Sequence, residues 1–120
     1  MEPKLFDAEY RFICIVWDNE PISSGELAKI CEKKLDWKRT TTYTVLKKLI
    51  NRGLVENQNS IVKTLVKREQ VQHFESAQVL DKMFDNSLPK FITAFMGDKK
   101  LSSKEVEELK QLIDLYREEK

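Results

Sequence analysis

No run of about 18 apolar residues occurs in this sequence, so no transmembrane span and no membrane insertion are expected. The opening Met1-Glu2-Pro3-Lys4 lacks the basic-then-apolar order of a signal peptide, which points to a cytoplasmic chain. Glycine and proline are scarce, three of each in 120 residues, and such a composition reads as mostly helical. Only two cysteines are present, Cys14 and Cys31, and they form no CxxC. Both fall at apolar positions of helical patterns, as buried reduced thiols do, although a redox pair bridging the first two helices is an alternative. The single histidine, His73, can build neither HExxH nor a three-His zinc site. There is no GxGxxG, P-loop or GxSxG motif. The acidic run Glu105, Glu107 and Glu108 sits at a helix start, where the dipole favours it, and reads as solvated or capping. The expectation is therefore no enzyme, no cofactor and no metal.

What is present is an uneven charge. The formal net charge is +1, yet residues 38–68 hold eight basic side chains (38, 39, 47, 48, 52, 63, 67 and 68) against one acid, Glu56. From Gln70 onward eight basic residues face ten acids. A local excess of this kind over about 30 residues is a footprint for a polyanion; the plainer reading is a solvated lysine face.

The same segment carries the most informative pattern. Val45, Leu46, Leu49 and Ile50 form one buried helix stripe. The other side holds Thr40, Thr41, Tyr43, Thr44, Lys47, Lys48 and Asn51, with no acid among them. Hydroxyls, a phenol and amines are groups that hydrogen-bond phosphates and base edges. Gly53 stops the helix and Leu54-Val55 starts an extended segment, the order of a recognition helix followed by a wing.

A first helix is expected over 8–17, with Asp7 as N-cap and Phe12, Ile13, Val16 and Trp17 buried. Asp18-Asn19-Glu20-Pro21 breaks it. Ser23 and Glu26 spell a capping box for the second helix, with Ile22 stapled onto Leu27 and Leu27, Ile30, Cys31 and Leu35 buried. A short turn through Asp36-Trp37 leads to the third helix and completes a helix-turn-helix. After it, Leu54 to Glu56 and Ile61 to Arg68 flank the tetrad Asn57-Gln58-Asn59-Ser60 as a two-stranded hairpin whose Lys63, Lys67 and Arg68 would flank a phosphate backbone.

From Gln70 the period is helical again. Val71, Phe74, Ala77, Leu80 and Phe84 suggest a fourth helix. Leu88 to Met96 is a short apolar one closed by Gly97. Ser102 and Glu105 open a last helix with a second capping box. Two apolar helices after a wing need a partner surface. A twofold exchange with a second copy would bury Phe91, Phe95, Leu109, Leu112, Ile113 and Tyr116. The alternative is that they fold back on their own N-terminal domain. The fold expected is mainly α: a winged helix-turn-helix of three helices and a two-stranded wing over residues 1–69, then a helical dimerisation region over 70–120.

The order Asp7-Ala8-Glu9, Ile15-Val16-Trp17, Trp37 before a Thr-rich helix ending Leu49-Ile50-Asn51-Arg52-Gly53-Leu54-Val55, and then Leu101 to Leu109, resembles the penicillinase-repressor family. That family includes the methicillin-resistance regulators and the copper-transport repressors. The resemblance covers nearly the whole chain. It implies a homodimeric winged-helix repressor on double-stranded palindromic operators of antibiotic-resistance genes. In the β-lactam-responsive members it also implies a membrane-bound sensor protease upstream and a cut in the dimerisation region. By position Thr40, Thr41, Tyr43 and Thr44 match the family's base-reading helix, Lys48 matches a phosphate-side position, and the scissile bond falls on Ala94-Phe95.

The chain departs from the family at Lys38-Arg39, where a Ser-Pro helix start is usual, and at Thr40 for lysine. It also departs in the wing (Asn59-Ser60, Leu65-Val66-Lys67) and at Ala94 for asparagine. The cysteine-rich copper-binding tail is absent. The DNA-contacting set expected is thus Lys38, Arg39, Thr40, Thr41, Tyr43, Thr44, Lys47, Lys48, Lys63 and Lys67. The competing class is a winged-helix module that binds protein without sequence-specific DNA recognition; acids on the exposed face of the third helix would favour it, and there are none.

Overall fold

The computed structural model describes residues 3–118. Its order is α1 (Asp7–Asn19), β1 (Ile22–Ser23), α2 (Ser24–Leu35), α3 (Arg39–Asn51), β2 (Val55–Gln58), β3 (Ile61–Thr64), α4 (Arg68–Met83), α5 (Leu88–Met96) and α6 (Ser103–Leu115). This is a winged helix-turn-helix followed by helices. By internal contacts the chain forms two compact units, Met1–Val79 and Leu80–Lys120.

In the N-terminal unit Phe12, Ile13 and Val16 of α1, Leu27 and Cys31 of α2, Leu46 and Leu49 of α3, and Val55 and Val62 of the wing form one buried core. Val71 of α4 joins them. Trp17 is only half-buried; its indole Nε1 donates to the Val66 carbonyl at 3.0 Å and its ring meets that of Tyr10 edge to face. Ile30 and Leu35 likewise pack against the core without being enclosed by it.

The first N-cap differs from the expected Asp7. Asp7 is the first helical residue, Phe6 occupies the cap, and Glu9 Oε1 accepts the Phe6 N–H at 3.0 Å. This is the N3 half of a capping box, and the Phe6 side chain supplies no acceptor for the other half. Helix α2 keeps only half of its expected box. Ser23 Oγ accepts the Glu26 N–H at 3.1 Å, while the Glu26 carboxylate turns to Lys29 at 3.8 Å.

Helix α3 ends in a Schellman motif. Leu54 N–H bonds the Leu49 carbonyl and Gly53 N–H bonds the Ile50 carbonyl, both at 2.9 Å. Gly53 takes φ 77, where a side chain would be strained, and Leu49 and Leu54 are both buried. The chain leaves this turn already directed into β2.

The wing is tighter than the expected hairpin. Only Asn59 and Ser60 form its loop, with φ 53 and 66, the paired positive values of a type I′ turn. Asn57 and Gln58 are strand residues, paired with Val62 and Ile61. Strand β3 ends at Thr64 instead of Arg68, because its partner β2 begins only after the Gly53 turn, where Leu65 N–H bonds the Leu54 carbonyl at 2.8 Å. On the other edge the Glu20 carboxylate accepts the Thr64 N–H at 2.7 Å and its hydroxyl at 2.8 Å. Arg68 opens α4 instead. A third short strand, β1, pairs with β3 through Ile22↔Val62 and Ser23↔Ile61, making the order β1-β3-β2, all antiparallel.

In the C-terminal unit the turn after α4 sets Asp85 and Asn86 at φ 51 and 58. Ser87 Oγ then caps α5 by accepting the Lys90 N–H at 3.2 Å. Gly97 closes α5, and Ser102 with Glu105 forms the full reciprocal box on α6. Phe84, Phe91 and Phe95 make a run of ring contacts at 5.3 and 5.9 Å. No residue of α5 or α6 is buried.

Candidate nucleic-acid interface

Helix α3 is 13 residues long, about 20 Å at 1.5 Å per residue. Its buried line is Thr42, Leu46 and Leu49, with Val45 and Ile50 at the margins. Thr42 was not expected inside. It stands four residues before Leu46 and seven before Leu49, the spacing of the core stripe, but it lies in a run of threonines otherwise exposed. Its Oγ1 is buried without a well-formed hydrogen bond, beside the Cys31 thiol. Burial raises the pKa of that thiol, and the Thr42 contact lowers it by less.

Fixing Thr42 inward turns Thr40, Thr41, Thr44, Lys47, Lys48 and Asn51 outward, and all six are exposed. Thr44 Oγ1 donates to the Thr40 carbonyl at 2.9 Å, which sets its rotamer and leaves its oxygen as an acceptor. Tyr43 is half-buried against the core margin. Arg39 lies over its ring, 5.5 Å from the centroid, and donates through Nη2 to the Tyr43 hydroxyl at 3.3 Å. A side chain at Gly25 of α2 would lie 3.8 Å from that same Nη2. The guanidinium is therefore oriented by Tyr43 of its own helix and lies close to the start of α2.

The start of α3 has no acid in its first turn, and its N-cap residue Lys38 makes no side-chain cap. The N–H groups of Arg39 and Thr40 have no intrahelical acceptor. With two cations beside it, the positive end of this helix dipole is open to an anion.

On the wing, Lys63 and Lys67 are exposed, while Val62 and Val66 point into the core. The register sets Lys63 opposite Glu56, so part of its charge is offset across the strands. Lys67 precedes α4, and its N–H donates to Gln70 Oε1 at 2.7 Å, leaving the ammonium outside. Arg68 does not flank an open surface. It bonds Asp18 Oδ1 at 2.6 Å and stacks over Trp17 at 5.2 Å, and the Asp18 bond raises its pKa further.

Of the expected site residues, eight therefore lie on α3 or at its N-cap and two on or after β3. Among the described residues no group of three or more His, Cys, Asp or Glu could hold a metal ion, and no helix is long and apolar enough to cross a membrane. In α5, Ala94 and Phe95 are both exposed.

A family model described as penicillinase repressor matches residues 5–115. The penicillinase repressor of Bacillus licheniformis is 22% identical, the match covering 98% of this chain and 95% of that protein. The methicillin resistance regulatory protein MecI of Staphylococcus epidermidis is 21% identical, covering 92% of this chain and 94% of its own length.

Proposed function

The chain belongs to the penicillinase repressor family, and on that premise we propose that it is a dimeric transcriptional repressor that binds palindromic operator DNA and controls β-lactam resistance genes. The observation that carries the reading is the outer face of α3, where Thr40, Thr41, Thr44, Lys47 and Lys48 are exposed with no acid among them. A helix of this length fits the major groove, where hydroxyls reach base edges and amines reach phosphates. Thr41 and Thr44 read bases, with Thr40 and Tyr43 beside them. Lys38, Arg39, Lys47, Lys48, Lys63 and Lys67 neutralise phosphates. The relatives' names, penicillinase and methicillin resistance repression, support the class of gene.

Residues 1–69 supply DNA recognition and 70–120 supply dimerisation. Phe95 is 55% exposed, Ile113 63% and Tyr116 82%, and Leu109 and Leu112 are also exposed. Apolar side chains at helical spacing left this open favour a second copy as their cover, joined by Phe91. Induction removes that cover. A membrane-bound sensor protease upstream cuts at Ala94-Phe95, in the last turn of α5, and separates α6 from the DNA-binding part. The chain works in the cytoplasm, where its DNA is.

Thr41→Ala and Thr44→Ala are each expected to reduce discrimination between operator and random DNA by roughly 1–3 kcal/mol. Competition titrations measure this. Unchanged discrimination in both variants would remove α3 from base readout.

A further inference from the structure

At the C-terminal end of α3 a cavity of about 370 Å³ is lined by Lys4, Phe6, Glu9, Lys48, Asn51 and Arg52. Three of these are cations and one is an acid. The acid is already engaged: Glu9 is 6% exposed, and its Oε1 accepts both the Phe6 N–H and Arg52 Nη1, the latter at 3.4 Å. Arg52 also donates through Nη2 to the Lys4 carbonyl. These bonds fasten the segment entering α1 to the end of α3, so Lys4 holds a fixed place beside Lys48 and Asn51.

The Lys4 ammonium lies 5.8 Å from the Phe6 ring centroid, a contact that orients it without using its hydrogen-bond donors. Among the described residues, neither Lys4 Nζ nor Lys48 Nζ has a carboxylate within ion-pair distance. Lys4, Lys48 and Arg52 against Glu9 leave an excess of two positive charges. The carbonyl end of the helix subtracts only about half a charge. The net charge around the cavity thus favours an anion. Lys48 and Asn51 also belong to the exposed face that carries Thr41 and Thr44, so a duplex lying along that face carries its backbone past this end of the helix.

We propose that the Lys4–Lys48–Arg52 cavity is a phosphate subsite that takes a backbone phosphate of the bound DNA and extends the footprint from α3 to the N-terminal segment. The proposal rests on the DNA-binding reading above.

The test is a salt series on the full chain carrying Lys4→Gln, which removes the ammonium and keeps the carbonyl that Arg52 uses. Each neutralised phosphate adds about 0.9 to the slope of log affinity against log salt. Lys4→Gln is expected to lower the slope by about that amount, alike on operator and scrambled DNA. The affinity lost between 50 and 200 mM salt then shrinks about 3.5-fold. A slope unchanged by Lys4→Gln but lowered by Lys47→Gln would overturn the subsite and leave the DNA-binding reading standing. No DNA binding by the unaltered chain even at low salt would overturn both. Inorganic phosphate titrated into the free chain, followed through the Asn51 amide signals, separates the two sources of phosphate. Saturable binding that Lys4→Gln abolishes, with an unchanged DNA slope, would assign the cavity to a free anion and overturn the proposal.

Discussion

A chain ending at Asn86 is expected to be monomeric and to lose palindrome binding by a factor on the order of 10²–10⁴. It keeps all of the core from Phe12 to Val71 and all of α4, which ends at Met83. What it loses is α5 and α6, where no side chain is buried although Leu88, Ile92, Phe95, Leu109, Leu112 and Ile113 are large and apolar. Such surfaces persist in water only when something covers them. In a twofold pair each copy covers the other, and two α3 helices are linked so that binding one half-site raises the local concentration at the second. Truncation removes that linkage and leaves the half-site contact intact. Sedimentation and paired titrations on one and two half-sites measure both effects. A truncated chain that still dimerises, or that binds the full palindrome as the whole chain does, would place the dimer elsewhere.

The second large effect lies in the N-terminal core. Phe12→Ala is expected to cost about 3–5 kcal/mol, a large part of the roughly 5–15 kcal/mol that stabilises a domain. The Phe12 side chain is fully buried and stacks on Trp37, with centroids 5.9 Å apart and ring planes 13° from parallel. Trp37 lies in the turn between α2 and α3, directly after Asp36 in a left-handed conformation. Losing the Phe12 ring leaves a cavity under that turn and frees the angle at which α3 is held. Urea unfolding gives the stability change, and specific DNA binding is expected to weaken beyond what the unfolded fraction explains. A change below about 1 kcal/mol would mean that the surroundings collapse to fill the space.

Much of this architecture is legible in the sequence where the controlling forces are local. The stripe through Leu46 and Leu49, the Gly53 stop, the Ser102-Glu105 box and the Gly97 closure all depend on residues within one or two turns. Features set across the chain are hidden. The pairing of Ile22 with Val62 joins residues forty positions apart and adds a strand to the wing. Glu20 takes the Thr64 N–H and hydroxyl from forty-four positions away. Arg68 reads as a free cation until Asp18 and Trp17 are seen beside it.

The candidate interface divides in the same way. The exposed threonines and lysines of α3 follow from helical period alone. Thr42 keeps the core period, but its hydroxyl cannot be told from its neighbours' by residue type. Lys4 and Glu9 meet Lys48 and Arg52 only through tertiary packing, and no spacing in the chain announces their cavity. The short wing turn was obscured by Asn57 and Gln58, polar residues that pair as strand despite their turn-like composition.

The most direct measurement is a titration of the full chain against the DNA upstream of its own gene and against a scrambled duplex, both at about 0.15 M salt, near the physiological value. The account predicts binding of two chains per site and a preference of at least about 10³ for the upstream DNA. Equal affinity for the two duplexes would contradict it.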